Sequence, residues 1–233
     1  GLDGVMGRGH AMLWQLTPTN DGADAILAFA REIDEDTAQT RWRFDERGEA
    51  DSNGPDTRFL GDLYQDLSDH ARKNFALLQT PEFVEEFILD RTLDPAMATF
   101  AEDLRRGEFR MIDPTVGSAH FLLGGFQRLL RYWQTEHPGL DPKEHAQKAL
   151  DGVWGCDINP FAAAIARFRL LVAALDAAGI TRLDRAPDFK IHIAVGDALL
   201  HGPRFTANQG VQGTFDPEHI SQHLYGHEDR HDI

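Results

Sequence analysis

Cysteine is almost absent: Cys156 is the only one among 233 residues. A single thiol cannot close an internal disulfide, so a disulfide-stapled secreted fold is excluded and the chain is expected in the cytoplasm. No apolar run approaches the roughly 20 residues that a membrane span needs. The opening stretch, "GLDGVMGRGH", carries no hydrophobic region of a secretory signal. Positive charge is scarce too. Lysine and arginine total 23 against 38 aspartates and glutamates, a formal net charge of −15. That balance opposes a broad grip on nucleic acid, which wants a surplus of cations. A DNA-holding surface, if the chain serves one, is local or lies elsewhere.

What is present suits a globular core. Hydrophobic residues make up 42% and charged residues 26% of the chain, and 233 residues are enough for one large domain or one and a half small ones. The first 55 residues say least. "ADAILAFAREID" has helical spacing through Ile26, Leu27 and Phe29, and "DERGEADSNGPD" reads as an acidic loop or linker. "TRFLGDLYQDLSDHARKNFALL" sets Phe59, Leu60, Leu63, Tyr64 and Leu67 at helical spacing, interrupted only by Gly61. In "QTPEFVEEFILDRTL", Thr80 is expected as N-cap with Pro81 at the first helical position, and Phe83, Val84, Phe87 and Ile88 form one apolar stripe.

From there strands and helices alternate. "FRMID" (109–113) reads as a strand and "AHFLLGGFQRLLRYW" as a helix with Phe121, Leu122, Phe126, Leu129, Leu130 and Trp133 on its apolar side. "DPKEHAQKAL" adds a short helix, and "VWGCD" (153–157) is the second strand. "NPFAAAIARFRLLVAALDAAG" has Asn159 as cap, Pro160 at the first position and Gly179 as stop. "FKIHIAVGD" (189–197) alternates and is β-branched, the mark of a third strand. This order predicts an α/β fold with a parallel sheet, in which ligands sit at the carboxyl ends of the strands.

All three strands end in an acid: Asp113, Asp157 and Asp197. After Asp113, Gly117 lets backbone approach a ligand, and the turn opens a helix whose N-terminus favours a carboxylate or phosphate. An acid beside that helix end suits an ammonium group. Asp157 suits the two hydroxyls of a ribose, and Asp197 the exocyclic amine of an adenine. A ligand with an amino-acid end and an adenosine end fits all three, and S-adenosylmethionine is the common one. A dinucleotide fits less well. The Gly-x-Gly-x-x-Gly fingerprint is missing, and Asp157 lies 40 residues beyond Gly117, where the ribose acid of that fingerprint lies about 20 residues on.

Together "LLQTPEFV", "DPTVGSAHFL", "GCDINPFAAAIARFRLLVAA" and "VGDALLHG" resemble the amino-methylating DNA methyltransferases, in the order of the adenine-specific gamma class. With "TRFLGDLYQDLS" ahead of them, they are most similar to the large methyltransferases of phage-growth-limitation and BREX phage-exclusion systems. The resemblance covers roughly residues 55 to 203. It implies a Rossmann-like class I S-adenosylmethionine-dependent methyltransferase fold with an incomplete sheet, preceded by N-terminal helices. It divides the chain into a helical or linker segment (1–55), a partial cofactor-binding core (56–203) and a tail (204–233). It also implies roles. Thr80 and Pro81 touch the methionine end. Asp113, Pro114, Gly117, Ser118 and Ala119 form the main cofactor loop. Asp157 binds the ribose and Ile158 packs on the adenine, whose edge meets Asp197 and Ala198. At Ala119 the family often has a second glycine, so the loop is expected to sit less close to its ligand.

One family element is missing. The catalytic Asn/Asp-Pro-Pro-Tyr/Phe tetrapeptide, which holds the target amine and stacks on the flipped base, occurs nowhere in the chain. "INPF" (Ile158–Phe161) imitates it, but has one proline, opens a helix and follows the ribose acid directly. The chain therefore reads as an N-terminal part of a larger enzyme, holding the cofactor and no catalytic residue. Its expected partners are DNA, through regions outside this chain, and other phage-defence proteins, with no membrane. A half sheet also leaves an open strand edge that invites self-association. His219, His223, His227 and His231 are spaced by four, which on a helix could hold zinc, yet Gly226 interrupts them and no cysteine joins, so no metal site is assigned. His120 is a loop or helix-start residue and Cys156 a packed one. Two alternatives stay open: a methyltransferase for RNA, protein or a small molecule, and a non-catalytic S-adenosylmethionine-binding module.

Overall fold

The computed structural model describes residues 19–33, 57–67 and 80–198, with single positions at 7, 17, 35 and 38. The acidic loop and the four tail histidines lie outside the described residues. Helix α1 (Asn20–Ala30) opens on Thr19, whose hydroxyl accepts from the Gly22 amide at 3.1 Å. It buries none of its residues, and Ile26, Leu27 and Phe29 stay exposed. Helix α2 (Arg58–Leu67) follows, then α3 (Glu82–Thr99) and the short α4 (Ala101–Arg105).

Strand β1 (Met111–Asp113), helices α5 (His120–Glu136) and α6 (Pro142–Asp151), strand β2 (Val153–Asp157), helix α7 (Pro160–Ala177) and strand β3 (His192–Val195) complete the order, with a 3-10 turn at Leu183–Arg185. The three strands form one parallel sheet in the order β1-β2-β3. The α/β class expected from the alternation is thus observed. Helices α5, α6 and α7 pack on one another and on the sheet. Their shared core includes Leu122, Phe126, Leu129, Trp133, Leu150, Val153, Leu170 and Leu171. Among the described residues no helix is long and apolar enough to cross a membrane.

Local signals explain most boundaries. Asp141 and Glu144 form a reciprocal capping box at α6. The Asn159 side chain accepts from the Phe161 and Ala162 amides, Pro160 fills the first turn of α7, and Gly179 follows its end at φ 67°. Four expectations need correction. Strand β1 begins at Met111 rather than 109, and β3 spans His192–Val195 rather than 189–197, because each pairs only along the part of β2 that faces it. Pro81, not Thr80, is the N-cap of α3: its ψ of 143° keeps it extended, and its carbonyl receives the Val84 and Glu85 amides. The apolar stripe of α3 faces outward, with Phe83 74% and Phe87 55% exposed, while Glu85, Leu89 and Leu93 are buried.

The inverted face of α3 has a structural cause. At Gly124 of α5 an added Cβ would lie 2.4 Å from Glu85 Oε1 and 2.5 Å from Leu89 Cδ1. The missing side chain is the notch into which α3 sets Glu85 and Leu89, and that contact fixes the rotation of the helix.

Candidate functional site

The strand ends form a staircase. Asp113 pairs with Gly155, two residues short of Asp157, and Asp157 pairs with Val195, two residues short of Asp197. Side chains alternate along a strand, so Asp113 and Asp157 share one face of the sheet. Asp113 accepts from the Thr115 amide at 3.0 Å. Burial pushes its carboxyl above the usual carboxylate range, the Thr115 bond opposes this, and the negative charge of Asp157 adds to the rise. A cation placed between the two acids would relieve that cost.

The loop after β1 folds back over β2. The Val116 amide donates to the Cys156 carbonyl at 2.9 Å, and the Gly117 amide donates to Asp157 Oδ2 at 2.7 Å. Asp157 Oδ1 accepts from the Asn159 amide at 2.8 Å. Each Asp157 oxygen thus holds one backbone donor and keeps lone-pair capacity for a further hydroxyl. Gly117 has φ 52°, a left-handed conformation, and an added Cβ would meet nothing within 4 Å. The backbone there borders open space, as close approach of a ligand requires. Ile158, beside Asp157, is 56% exposed and offers an apolar surface at the same rim.

The other expected residues distribute unevenly. Pro114 and Ala198 are exposed and Asp197 is half-buried. Thr80 and Pro81 precede α3, whose Glu85 is tied to the loop through Arg58. Ser118 is buried, and its carbonyl and hydroxyl both face Arg169, at 2.6 and 3.1 Å from Nη1. Ala119 is buried in the left-handed region at φ 71°, ψ 36°, a region that glycine ordinarily occupies. An L-residue there is strained by about 1–2 kcal/mol, so the surroundings must enforce it.

Within "INPF" the polar residue that would imitate the catalytic one is not offered to a ligand. Asn159 is 1% exposed and caps α7, and its Nδ2 donates to the Tyr64 hydroxyl at 3.0 Å. His120 is the first residue of α5 and is buried. Burial, then the charges of Arg169 and Arg58, lower its pKa to about 3, so the ring is neutral at ordinary pH. Its Nδ1 lies 3.0 Å from Arg58 Nη1. Arginine only donates, so Nδ1 accepts and the ring proton sits on Nε2. The 4.0 Å approach of Nδ1 to Glu85 Oε2 is consequently no ion pair. Cys156 is buried, and its thiol donates to the Gly196 carbonyl at 3.1 Å. Burial, with the nearby charges of Asp157 and Asp197, raises its pKa, the opposite of an activated nucleophile.

Two features escaped sequence reasoning. The pair Arg58–Glu85, at 2.7 Å, joins α2 to α3. Arg169 lies 2% exposed inside α7. A hint was legible: an arginine within "AIARFRLLVAA" must find polar partners if that helix is buried all round. A cleft of about 770 Å³ opens beside the outer edge of β1, lined by Phe100, Phe109, Arg110, Met111 and Ile112 among others. None of the expected cofactor residues lines it.

No family model matches the chain. Over 205 residues it is 51% identical to the adenine-specific methyltransferase PglX of Streptomyces coelicolor, covering 85% of this chain. Over 113 residues it is 27% identical to a putative type II restriction enzyme and methyltransferase of Methanocaldococcus jannaschii, covering 45% of this chain. The chain spans 17% and 9% of the lengths of these two curated relatives. The resemblance to adenine-specific methyltransferases read from the motifs is therefore borne out.

Proposed function

We propose that this chain is the S-adenosylmethionine-binding part of a DNA adenine methyltransferase serving phage defence, built on a Rossmann-like class I methyltransferase core at residues 56–203. The observation that carries the reading is the bond between the Gly117 amide and Asp157, which joins the loop after β1 to the acid after β2 around one open rim. The 51% identity to an adenine-specific methyltransferase supports the substrate. The resemblance to phage-exclusion methyltransferases supports the setting.

The residues fit the cofactor. S-adenosylmethionine supplies an electrophilic methyl group when bound. Asp113 offers a carboxylate to the cationic methionine end, and the N-terminus of α5 favours the methionine carboxylate. Thr80 and Pro81 border the same end. Pro114, Gly117, Ser118 and Ala119 shape the backbone against which it lies. Asp157 accepts from the ribose hydroxyls, Ile158 covers the adenine, and Asp197 and Ala198 meet its edge. The target adenine and the groups that hold its amine belong to regions outside this chain, as does the DNA surface. Their contribution is positioning of amine and methyl group, and the chain's own contribution is the fixed pose of the methyl donor.

The test is methylation in the cell. DNA from cells carrying the full-length gene is expected to contain N6-methyladenine at one sequence, and Asp157→Ala in that gene is expected to remove it. Methylation of cytosine, or of RNA alone, would overturn the reading.

A further inference from the structure

We propose that helix α2 is a working part of the cofactor site, in which Arg58, together with Arg169 of α7, acts as a positioning residue that holds the loop end Ser118–His120 from two sides. The proposal rests on the cofactor reading of that loop. The loop end is where the backbone is least at ease: Ala119, which has a side chain, takes φ 71° directly before α5. Such a conformation persists only where the surroundings over-determine it.

Two guanidinium forks supply that constraint. Arg169 Nη1 donates to the Ser118 carbonyl at 2.6 Å and to its hydroxyl at 3.1 Å, and Nε of the same fork donates to the Thr57 hydroxyl at 3.1 Å. On the other flank Arg58 Nη1 donates to His120 Nδ1 at 3.0 Å while Nη2 donates to Glu85 Oε2 at 2.7 Å. Ala119 sits between the two gripped residues. Further along α2, the Tyr64 hydroxyl bonds the Asn159 side chain, whose backbone amide donates to Asp157. Arg58 and Tyr64 therefore reach the two loops of the site directly, and Thr57 reaches the first through Arg169, from one short stretch across sequence separations of 62 to 112 residues.

Packing alone would not select this arrangement. Apolar side chains of similar volume commonly stabilise an interior as well as a buried ion pair does. A planar fork does something they cannot: it fixes two acceptors at a set angle. Here one acceptor is a helix-start histidine beside a strained residue and the other is Glu85, 3% exposed. The loop is thereby held in its ligand-ready shape before a ligand arrives, which lowers the ordering cost of binding.

The test uses two variants of this chain. In Arg58→Lys the ammonium still pairs with Glu85, but a single point charge replaces the fork that also held His120. In Arg58→Ala combined with Glu85→Gln no buried carboxylate is left without its cation, so folding is protected, while Glu85→Gln alone keeps the bond to His120. Amide hydrogen exchange without ligand is read at Ser118, Ala119 and His120, with Leu170 and Leu171 of α7 as internal reference. S-adenosylmethionine affinity is read by calorimetry. The expected result is exchange at the loop end faster by about tenfold and affinity weaker by about tenfold in both Arg58 variants. The reference amides are expected to stay near wild type, and Glu85→Gln alone, which keeps an acceptor for Arg58, to speed the loop end less than either Arg58 variant. Unchanged loop exchange in both Arg58 variants overturns the proposal, as does acceleration equal to that at the reference amides. Faster loop exchange in a chain whose wild type ignores S-adenosylmethionine upholds the clamp and overturns the cofactor reading instead.

Discussion

Helices α3 and α7 have the same length, 18 residues each, and opposite relations to their sequences. Helix α7 buries Ala162, Ala163, Ala166, Leu170, Leu171 and Ala174, together with Arg167 and Arg169, which donate to the Ile193 and Ser118 carbonyls, and its cap, first-turn proline and stop residue fall where the pattern puts them. Helix α3 turns its best apolar stripe to the outside and buries a glutamate. Both contrasts trace to neighbours. Helix α7 meets α6, α5 and two strands, so most of its apolar residues find apolar partners. Helix α3 lies at the periphery, and the notch at Gly124 sets its rotation. Glu85 can enter that notch because Arg58 arrives with it. Where a helix is surrounded, composition decides its burial. Where it is flanked on one side, the shape and charge of the partner decide.

The comparison can be broken or sharpened in steps. The largest effect is expected at Leu89 of α3 and Leu170 of α7, both fully buried. Truncating either to alanine is expected to cost about 2–5 kcal/mol in urea unfolding. An effect at Leu89 near zero would mean that α3 does not pack as described.

Next is the pH response of His120. Its folded pKa of about 3 lies below the ordinary 6.5, so between these values the unfolded chain binds the proton and the native one does not. Its stabilisation is therefore complete above 6.5 and is lost as pH falls towards 3. Asparagine at this position keeps an acceptor for Arg58 and cannot titrate. The stability lost by wild type between pH 7 and pH 4 is expected to shrink by about 3 kcal/mol in His120→Asn. Equal losses in the two proteins would place a protonated histidine in the native state.

The smallest effect is expected at Phe87. Replacing this exposed aromatic with serine removes its contact with Arg91, 3.7 Å from the ring centre. The change in stability should stay within about 0.5 kcal/mol. A cost matching that of Leu89→Ala would restore the outward stripe as a packing face.

How far the sequence could be read follows the same division. The limits of β2, the α7 cap at Asn159 and the acids that end β1 and β2 depend on local chemistry and were legible, whereas Asp197 lies two residues beyond the end of β3. The motifs also pointed to a methyltransferase kinship that the comparison with PglX bears out. The clamp was not legible. Arg58 and His120 stand 62 residues apart, and Arg169 and Thr57 stand 112 apart, so no periodicity couples them. The Thr80 cap failed by one residue: Pro81 keeps the extended backbone of the N-cap and its carbonyl takes the first helical amides, with no side-chain cap added. Ala119 is a middle case. Its departure from glycine was visible, but its left-handed backbone emerged only with the fold.

The central claim is that Asp157 and the Gly117 loop form one cofactor cradle. The most direct measurement is calorimetric titration of this chain with S-adenosylmethionine, alongside Asp157→Ala shown by circular dichroism to be folded. Saturable one-site binding by wild type that the variant loses is the result this account predicts. Equal affinity in the two proteins, or no binding by folded wild type, would contradict it.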